Sequence, residues 1–192
     1  MPWEKQFDRE DVLDKAMHAF WRHGYSGTSM KDLIGCMGLN PGSIYATFGD
    51  KKSLFRHALE HYKHQTHELL ADFERTYPPR QAILELFKKM VEDVRTGPQN
   101  GACFIVNTVV ETTPKDEKID CAAQAGLAEF DAFIGKMIKA GQDRGEINPT
   151  LNVEKTSRIL MGLIVGGRVL ARGHLDDKAL QDFIDHADHI IS

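Results

Sequence analysis

Residues 28–51 constrain the fold of this chain more than any other stretch. Its first half carries apolar side chains at i, i+3, i+4 and i+7, the spacing that lines one face of a helix. These residues are Met30, Leu33, Ile34 and Met37. Gly38 follows them and permits the left-handed turn in which helices commonly end. The pattern therefore predicts a short helix, a tight turn and a second helix.

Polar residues stand where the two helices need caps. Thr28 or Ser29 can accept hydrogen bonds from the free N–H groups of the first helix, and Asp32 occupies the position of a capping-box acid. Asn40 is the matching cap of the second helix, and Pro41 follows at the first helical position, where a missing N–H costs nothing. Residue type therefore agrees with periodicity at both helix starts.

The second helix is predicted to bury one edge and leave the other free. Ile44 and Phe48 are four residues apart and share a face, whereas Ser43, Tyr45 and Thr47 point away from them. A short helix on a rigid base that presents hydroxyl groups is an element that the major groove of DNA admits.

The order of residues in this stretch closely resembles the TetR family of bacterial transcriptional regulators. It combines Gly27-Thr28-Ser29 with the run from Gly38 to Phe55, in which a tyrosine lies on the second helix and a lysine opens the next. The resemblance covers residues 8–60. Beyond them the chain agrees with the family in helical pattern and length.

The resemblance implies an all-α fold with a three-helix, helix-turn-helix head at residues 1–52. Residues 53–192 then form a helical body that binds an effector and holds two subunits together. Helical periodicity along the chain predicts about nine helices and no sheet. Outside the opening stretch, helices are predicted at residues 9–23, 51–76, 80–95, 102–111, 116–144, 153–172 and 177–191.

The segment from Ala102 to Glu111 leaves an alternative open. It is apolar on nearly all sides and rich in β-branched residues, so it could form a strand. A buried helix is favoured, because no second strand elsewhere in the chain is predicted to pair with it.

Charge and composition narrow the class of protein. The formal net charge is −4, so the chain is no globally basic nucleic-acid binder. Residues 1–56 hold eight Lys/Arg and seven Asp/Glu, against sixteen and twenty-one in residues 57–192, so any DNA contact is local.

Three dispersed cysteines fit neither a disulfide framework nor a zinc site and favour a reducing cytosol. With no signal peptide and no membrane-spanning run, we expect a cytoplasmic protein bound to the nucleoid and no membrane partner.

Position alone assigns roles toward DNA. Lys51 and Thr28 stand at helix starts, which attract phosphate, and the phenol of Tyr45 is long enough to reach the DNA backbone. The residues at the front of the second helix and Thr47 are expected to contact base edges. The resemblance implies the same roles for these positions. The predicted DNA-contacting residues are Thr28, Ser29, Asn40, Pro41, Gly42, Ser43, Tyr45, Thr47 and Lys51.

Pro41 departs from the family pattern. Many relatives carry Lys or Arg at this position, and proline cannot supply the bidentate contact to guanine that such a residue makes. Pro41 and Ala46 could instead meet thymine methyl groups.

Glycines interrupt the apolar pattern of the eighth predicted helix. Gly162, Gly166 and Gly167 each cost about 1 kcal/mol relative to alanine, a cost that close approach of another helix can offset. That neighbour could belong to the same chain. The resemblance favours a homodimer in which helices eight and nine pair with their copies.

The resemblance also implies a small, apolar effector held between the middle helices. The predicted lining is Phe87, Met90, Cys103, Phe104, Asn107, Phe130, Phe133 and Met137. Aromatic and methionine side chains at helical spacing could equally be plain core. Asn107 stands out, because an amide in an apolar helix needs a partner.

Cys103 lies near a helix start, which could make it reactive toward electrophiles. Its alternative role is a small buried hydrophobe.

A run of four histidines raises the question of a metal. His57, His61, His64 and His67 lie on one predicted helix, and a solvated helix face explains them with fewer assumptions. No catalytic set, P-loop or dinucleotide fingerprint is present, so we expect no cofactor, no metal and no enzyme.

These observations favour a dimeric repressor that holds a palindromic operator in double-stranded DNA and is released by a small effector, with an electrophile as one option. The alternative is an all-α small-molecule or redox binding protein whose helical hairpin contacts another protein.

Overall fold

The computed structural model describes residues 7–96, 103–111, 116–171, 173 and 175–192. These residues form nine α-helices and no strand, which confirms the predicted all-α fold. None of the described helices is long and apolar enough to cross a bilayer. In chain order the helices are α1 (Arg9–Gly27), α2 (Met30–Met37), α3 (Pro41–Phe48), α4 (Lys51–Thr76), α5 (Pro79–Thr96), α6 (Phe104–Val110), α7 (Glu117–Asp143), α8 (Val153–Ala171) and α9 (Asp177–Ile190).

The predicted helix caps of the head are confirmed. Ser29 and Asp32 form a full capping box at the start of α2, and Gly38 ends α2 with φ 67°. The side chain of Asn40 accepts a hydrogen bond from the backbone N–H of Ser43 at 2.8 Å, directly before Pro41 opens α3. Local capping chemistry thus sets the length of both short helices.

The first helix is longer than predicted. Gly24, with φ 71° and ψ 171°, breaks α1 where the sequence predicted its end. The chain then makes one more helical turn, from Tyr25 to Gly27, before α2 begins. Gly24 therefore ends the regular part of α1 after His23, as predicted, and the turn from Tyr25 to Gly27 beyond the kink was not predicted.

A compact set of apolar side chains from four helices forms the core of the head. They come from one face of α1, from both short helices and from the first turns of α4. Their burial fixes α2 and α3 against α1 and α4, which are long enough to be stable supports. The residues are Val12, Ala16, Met17, Phe20, Leu33, Met37, Ile44, Phe48, Leu54 and Phe55.

Helix α4 belongs to the head and to the body at once. It has 26 residues, or about 39 Å at 1.5 Å per residue. Leu54, Phe55 and Ala58 are buried at its head end, whereas Leu70 and Phe73 are buried further along. The predicted division between residues 52 and 53 falls in its first turn, and that division stays a prediction.

The prediction that α6 is a helix is confirmed, but only its first turns are buried. Ile105 is fully buried and packs where α7 carries Gly126. A Cβ on Gly126 would lie 2.5 Å from the terminal methyl group of Ile105, so this glycine lets α6 approach α7 closely. Val109 and Val110 are 50% and 68% exposed, so the prediction of burial on all sides is wrong at the end of α6.

Aromatic rings join the head to the body around Phe104 of α6. The ring of Phe104 lies 5.5 Å from Phe55, 5.8 Å from Tyr62 and 6.2 Å from Trp21. Trp21 in turn meets Tyr62 edge to face at 5.2 Å. Helices α1, α4 and α6 therefore share one packed cluster, which couples the position of α6 to the base of the head.

Two glycines of α7 make a matched test of this packing. A Cβ on Gly141 would lie 2.7 Å from Cγ1 of the buried Ile147, whereas a Cβ on Gly135 would meet nothing closer than 3.8 Å. We expect Gly141→Ala to lower the free energy of unfolding by about 1–3 kcal/mol through overpacking. Gly135→Ala should leave it unchanged or raise it by up to about 1 kcal/mol. Urea denaturation measures both, and equal effects would contradict the described contact.

Candidate DNA-binding surface and effector region

Helix α3 presents a free polar edge. Tyr45 is 50% exposed, Thr47 is exposed, and Ser43 is half-buried. Within the part of the chain that the structure describes, none of these three hydroxyl groups makes a hydrogen bond. Pro41 and Gly42 are exposed at the front of the same helix. The predicted exposure of this surface is confirmed, and its hydroxyls can bond to an external partner.

The opposite edge of α3 is fixed. Ile44 and Phe48 are buried, and the guanidinium of Arg9 lies 5.8 Å from the centre of the Phe48 ring. His57 meets the same ring edge to face at 5.9 Å. Burial lowers the pKa of His57, and the nearby charges of Arg9 and Arg56 lower it further. Two arginine side chains thus lie near the base of α3, and the contact from Arg9 was not predicted from the sequence.

Lys51 opens α4 beside the head, as predicted. Its ammonium lies 4.3 Å from the centre of the Tyr25 ring, a cation–π contact that orients the lysine. Burial raises the pKa of Tyr25, and the charge of Asp50 raises it further. The neutral phenol ring therefore holds the Lys51 ammonium beside the positive N-terminus of α4, and both favour the approach of an anion. The contact with phosphate stays a prediction.

Thr28 and Ser29 use their hydroxyl protons within the head. Thr28 is only 1% exposed, and its hydroxyl donates to the carbonyl of Gly24 at 2.7 Å. The prediction that the Thr28 side chain meets a phosphate is therefore wrong in this conformation. Ser29 is exposed, but its hydroxyl donates to Asp32 at 2.6 Å. That bond holds the pKa of Asp32 below its ordinary value.

The predicted effector region is a closed core. All of its predicted residues except Asn107 are buried. A cavity of about 10 Å³ lies between α6, α7 and α8, beside Cys103, Phe130 and Arg168. This volume suffices for about one water molecule. Within the part of the chain that the structure describes, the predicted residues other than Asn107 are packed core around a cavity of this size.

Asn107 lies elsewhere than predicted. It is half-buried and lines an open groove of about 520 Å³ between α1 and α6, together with Trp21, Val110 and Glu111. Its amide makes no hydrogen bond within the described residues. The expectation that this amide faces the apolar interior is wrong, because α6 lies against the head and turns this face toward α1.

A charged group that was not predicted from the sequence lies inside the body. Arg168 is 7% exposed, and its guanidinium lies 2.9 Å from a carboxylate oxygen of Asp93. The other oxygen of Asp93 is 3.0 Å from the ammonium of Lys89. Arg168 follows Ile164 by four residues, and Ile164 lies on the buried face of α8. This i to i+4 spacing from Ile164 was the sequence signal that could have predicted the burial of Arg168.

Cys103 lies at the edge of this region, next to a phenol. Its sulfur is 3.6 Å from the hydroxyl oxygen of Tyr62, and the thiol is 4% exposed. Burial raises the pKa of Tyr62 well above its ordinary value, with the charge of Cys103 as the next cause. Tyr62 is therefore neutral at physiological pH. The other two cysteines, Cys36 and Cys121, are free and exposed.

The histidines of α4 have partners of their own. His61 lies 3.8 Å from Asp14, and His67 pairs with Glu129 of α7. His64 is exposed and lies 3.7 Å from Glu68. Among the described residues, no group of His, Cys, Asp and Glu is arranged to hold a metal ion.

Helix α8 exposes an apolar face that contains two glycines. Gly162 and Gly166 have no atom within 4 Å of an added Cβ, whereas Gly167 faces the sulfur of Met90 at 3.0 Å. A neighbour in the same chain therefore accounts for Gly167 but not for the other two. Ile159 and Leu170 on the same side are 54% and 56% exposed. This outer face of α8 (Ile159, Gly162, Leu163, Gly166, Val169 and Leu170) is open in the single chain.

Comparison with known families matches both parts of the chain. Residues 12–58 match the family described as "Bacterial regulatory proteins, tetR family". Residues 79–187 match the description "Tetracyclin repressor-like, C-terminal domain". Together the two matches take in the helix-turn-helix head and most of the helical body.

Curated relatives align over nearly the whole chain. An uncharacterised HTH-type transcriptional regulator of Bacillus subtilis, YezE, is 30% identical over 186 residues, which is 94% of each chain. The HTH-type transcriptional repressor ComR of Escherichia coli is 29% identical over 88% of this chain and 81% of its own length.

Solved structures share the architecture. A cysteine mutant of the TetR family regulator CifR, complexed with a 26-base-pair operator duplex, superposes with a TM-score of 0.86 at 26% identity over all of both chains. The reduced form of Escherichia coli NemR superposes with a TM-score of 0.87 over 96% of both chains. At 18% identity, that second likeness concerns the fold alone.

The exposed edge of α3 yields a prediction that separates backbone contacts from base contacts. We expect Tyr45→Phe and Lys51→Ala to weaken binding to all duplexes similarly, because contacts with phosphate carry little sequence information. Lys51→Ala should also reduce the slope of log affinity against log salt by about one. Ser43→Ala should change the preference among duplexes of different sequence, as measured by fluorescence anisotropy. An equal loss on every duplex would contradict the base-reading role of Ser43.

Proposed function

The chain belongs to the TetR family of DNA-binding transcriptional regulators, and from that premise we propose that it is a dimeric repressor released from a palindromic operator by a small molecule. Its DNA partner would place it in the cytoplasm, at the nucleoid. The name of ComR, a repressor, supports repression as the direction of control.

The observation that carries this proposal is the free polar edge of α3 on a buried base. The hydroxyls of Ser43, Tyr45 and Thr47 have no partner among the described residues, whereas Ile44 and Phe48 fix the helix from behind. A rigid helix with unsatisfied donors suits direct readout in a major groove. The operator complex of CifR, a protein of matching fold, supports DNA binding by this chain.

The outer face of α8 supports a two-fold dimer. Its two open glycines allow close approach of a second helix, which would offset their cost in helix stability. A shallow cavity beside Leu163, Phe183 and His186 continues this surface onto α9. Two heads related by this interface would meet half-sites about one helical turn, or a multiple of 34 Å, apart.

The dimer and the palindrome can be tested together. We expect wild-type protein to select a palindromic duplex from a random library and to sediment as a dimer at micromolar concentration. Gly166→Leu fills open space in the single chain but blocks the approach of a second helix, so it should weaken dimerisation by more than about tenfold. It should lose affinity for the palindrome in parallel.

Gly35→Leu is the matched control for that experiment. Gly35 is also a helical glycine with nothing within 4 Å of an added Cβ, but it lies on α2, away from α8. It should leave sedimentation unchanged. A wild-type monomer, or selection of duplexes without two-fold symmetry, would contradict the proposal.

Salt dependence separates this proposal from its rival, a small-molecule or redox binding protein whose helical hairpin contacts another protein. Phosphate binding releases counterions, so the affinity for DNA should fall steeply as salt rises. The rival function predicts no salt-dependent DNA binding at all.

Release by an effector requires the body to open. The cavity beside Cys103 and Phe130 holds about 10 Å³, so a ligand must favour a conformation in which the helices around it have moved apart. Such a ligand can shift the equilibrium only by its difference in affinity between the two conformations. The packed residues around Phe104, Phe133 and Met137 would then line the opened site. Phe87 and Met90 would form its α5 wall.

Electrophile sensing at Cys103 is a second way to release the DNA. The thiol lies at the small cavity and contacts the Tyr62 hydroxyl, so an adduct there would need room that the closed core lacks. Forming the adduct would therefore force α6 away from α8.

Mass spectrometry after mild treatment with N-ethylmaleimide tests this route. The exposed Cys121 serves as the internal reference for an accessible thiol. Cys36 is less suitable, because burial of its thiol raises its pKa. We expect an adduct at Cys103 to accompany loss of operator binding, and Cys103→Ala to abolish that loss. No adduct at Cys103 under conditions that label Cys121 would contradict this route.

A further inference from the structure

The end of α6 makes a direct polar contact with the end of α1. The carboxylate of Glu111 accepts hydrogen bonds from the backbone N–H groups of Tyr25 and Ser26, at 2.9 and 3.1 Å. These partners are 86 and 85 residues away in sequence. A carboxylate of the body thus binds the backbone of the head.

The kink at Gly24 creates the need for this contact. Because Gly24 leaves the helical conformation, the N–H groups of Tyr25 and Ser26 are the first of a new helical turn, the position at which helix N–H groups need a partner from outside the helix. Glu111 fills the place of an N-cap, and its negative charge faces the positive end of that turn. A Cβ on Gly24 would lie 2.8 Å from the Glu111 carboxylate, so the glycine is needed for both the kink and the contact.

The same short turn leads directly to the DNA-binding surface. The ring of Tyr25 lies beneath the ammonium of Lys51, the proposed phosphate contact. The carbonyl of Gly24 accepts the hydroxyl of the buried Thr28, one residue before the cap of α2. A displacement of this turn therefore moves both Lys51 and the start of α2.

At its other end, α6 begins in the core of the body. Glu111 follows the last residue of α6, and its N–H donates to the carbonyl of Asn107. Cys103, at the start of α6, borders the small internal cavity. The helix of seven residues is about 10 Å long and moves as a unit, so a shift at Cys103 reaches Glu111.

A second polar link between head and body is weaker. Lys52 and Asp116 lie 2.6 Å apart at the surface, and their hydrogen bond lowers the pKa of Asp116. Exposed ion pairs of this kind contribute little and are screened by salt. The two charge-assisted bonds from Glu111 to fixed backbone groups are more directional.

We propose that Glu111 is the positioning residue through which the body sets the orientation of the DNA-binding head. The carboxylate holds the turn after Gly24 and, with it, Lys51 and α2 in the geometry of this structure. Displacement of α6 withdraws the carboxylate and frees the head to turn. This inference rests on the proposed function, because it concerns how two heads are held at the spacing of an operator.

The test compares full and half operators. The probes are the duplex selected by the wild-type protein, the same duplex with one half-site scrambled, and versions with one or two base pairs added between the half-sites. The full-length variants are Glu111→Ala and Glu111→Gln, whose amide keeps one acceptor. Glu129→Gln is the matched control, since Glu129 also joins two helices, through His67, but does not touch α1.

If Glu111 sets head orientation, Glu111→Ala should bind the full operator about tenfold more weakly, a change that corresponds to the loss of one good positioning interaction. Its affinity for the half-site duplex should change by less than about twofold, because each head still folds and reads its bases. Its dependence on the added base pairs should flatten. Glu111→Gln should lie between, and Glu129→Gln should match wild type.

Hydrogen exchange supplies a readout that does not depend on DNA. The amides of Tyr25 and Ser26 should exchange faster in Glu111→Ala, whereas those of α2 should not, which also shows that the variant is folded. Equal losses on full and half operators, no loss on either, or unchanged exchange at Tyr25 and Ser26 would overturn the inference. A wild-type protein that shows no preference for the full operator would instead overturn the proposed function, and the inference with it.

Discussion

The DNA-binding surface depends on the burial of Ile44 and Phe48, which fixes α3 against the rest of the head. Helix α3 has eight residues, too few to be stable alone in water, so its shape comes from its caps and its buried edge. Each of those two side chains contributes on the order of 2 kcal/mol by leaving water. The polar edge of α3 is therefore not needed to stabilise the helix. Ser43, Tyr45 and Thr47 can leave their hydroxyls without internal partners while the helix that carries them stays ordered.

The same principle extends from the head into the body. Phe48 packs among residues of α1 and α4, and α4 continues into the body core, where Phe104 of α6 meets the aromatic rings of both helices. Packed interiors transmit displacement because they hold little free volume. The cavity next to Cys103 is about the size of a water molecule, so anything larger that enters must move a helix. Control of the head by the body then follows from packing together with the polar contact of Glu111.

The features that were predicted from the sequence are local ones. Ser29, Asn40 and Gly38 act on groups within four residues, so their types and spacings were sufficient to place α2 and α3. The features that were missed depend on distant partners. The turn after Gly24 needs a carboxylate 85 residues away, and the burial of Arg168 needs Asp93, 75 residues earlier. The position of Asn107 in the groove toward α1 could not be predicted, because periodicity defines the faces of a helix but not which neighbour each face meets.

Hydrogen exchange of the wild-type protein with and without its selected duplex locates the DNA-binding surface. We expect slower exchange on DNA at the amides of α3 and at the start of α4 near Lys51, with no protection along α5. Protection confined to the outer face of α8, or absent from α3, would contradict the assignment of Ser43, Tyr45 and Thr47 to the DNA-binding surface.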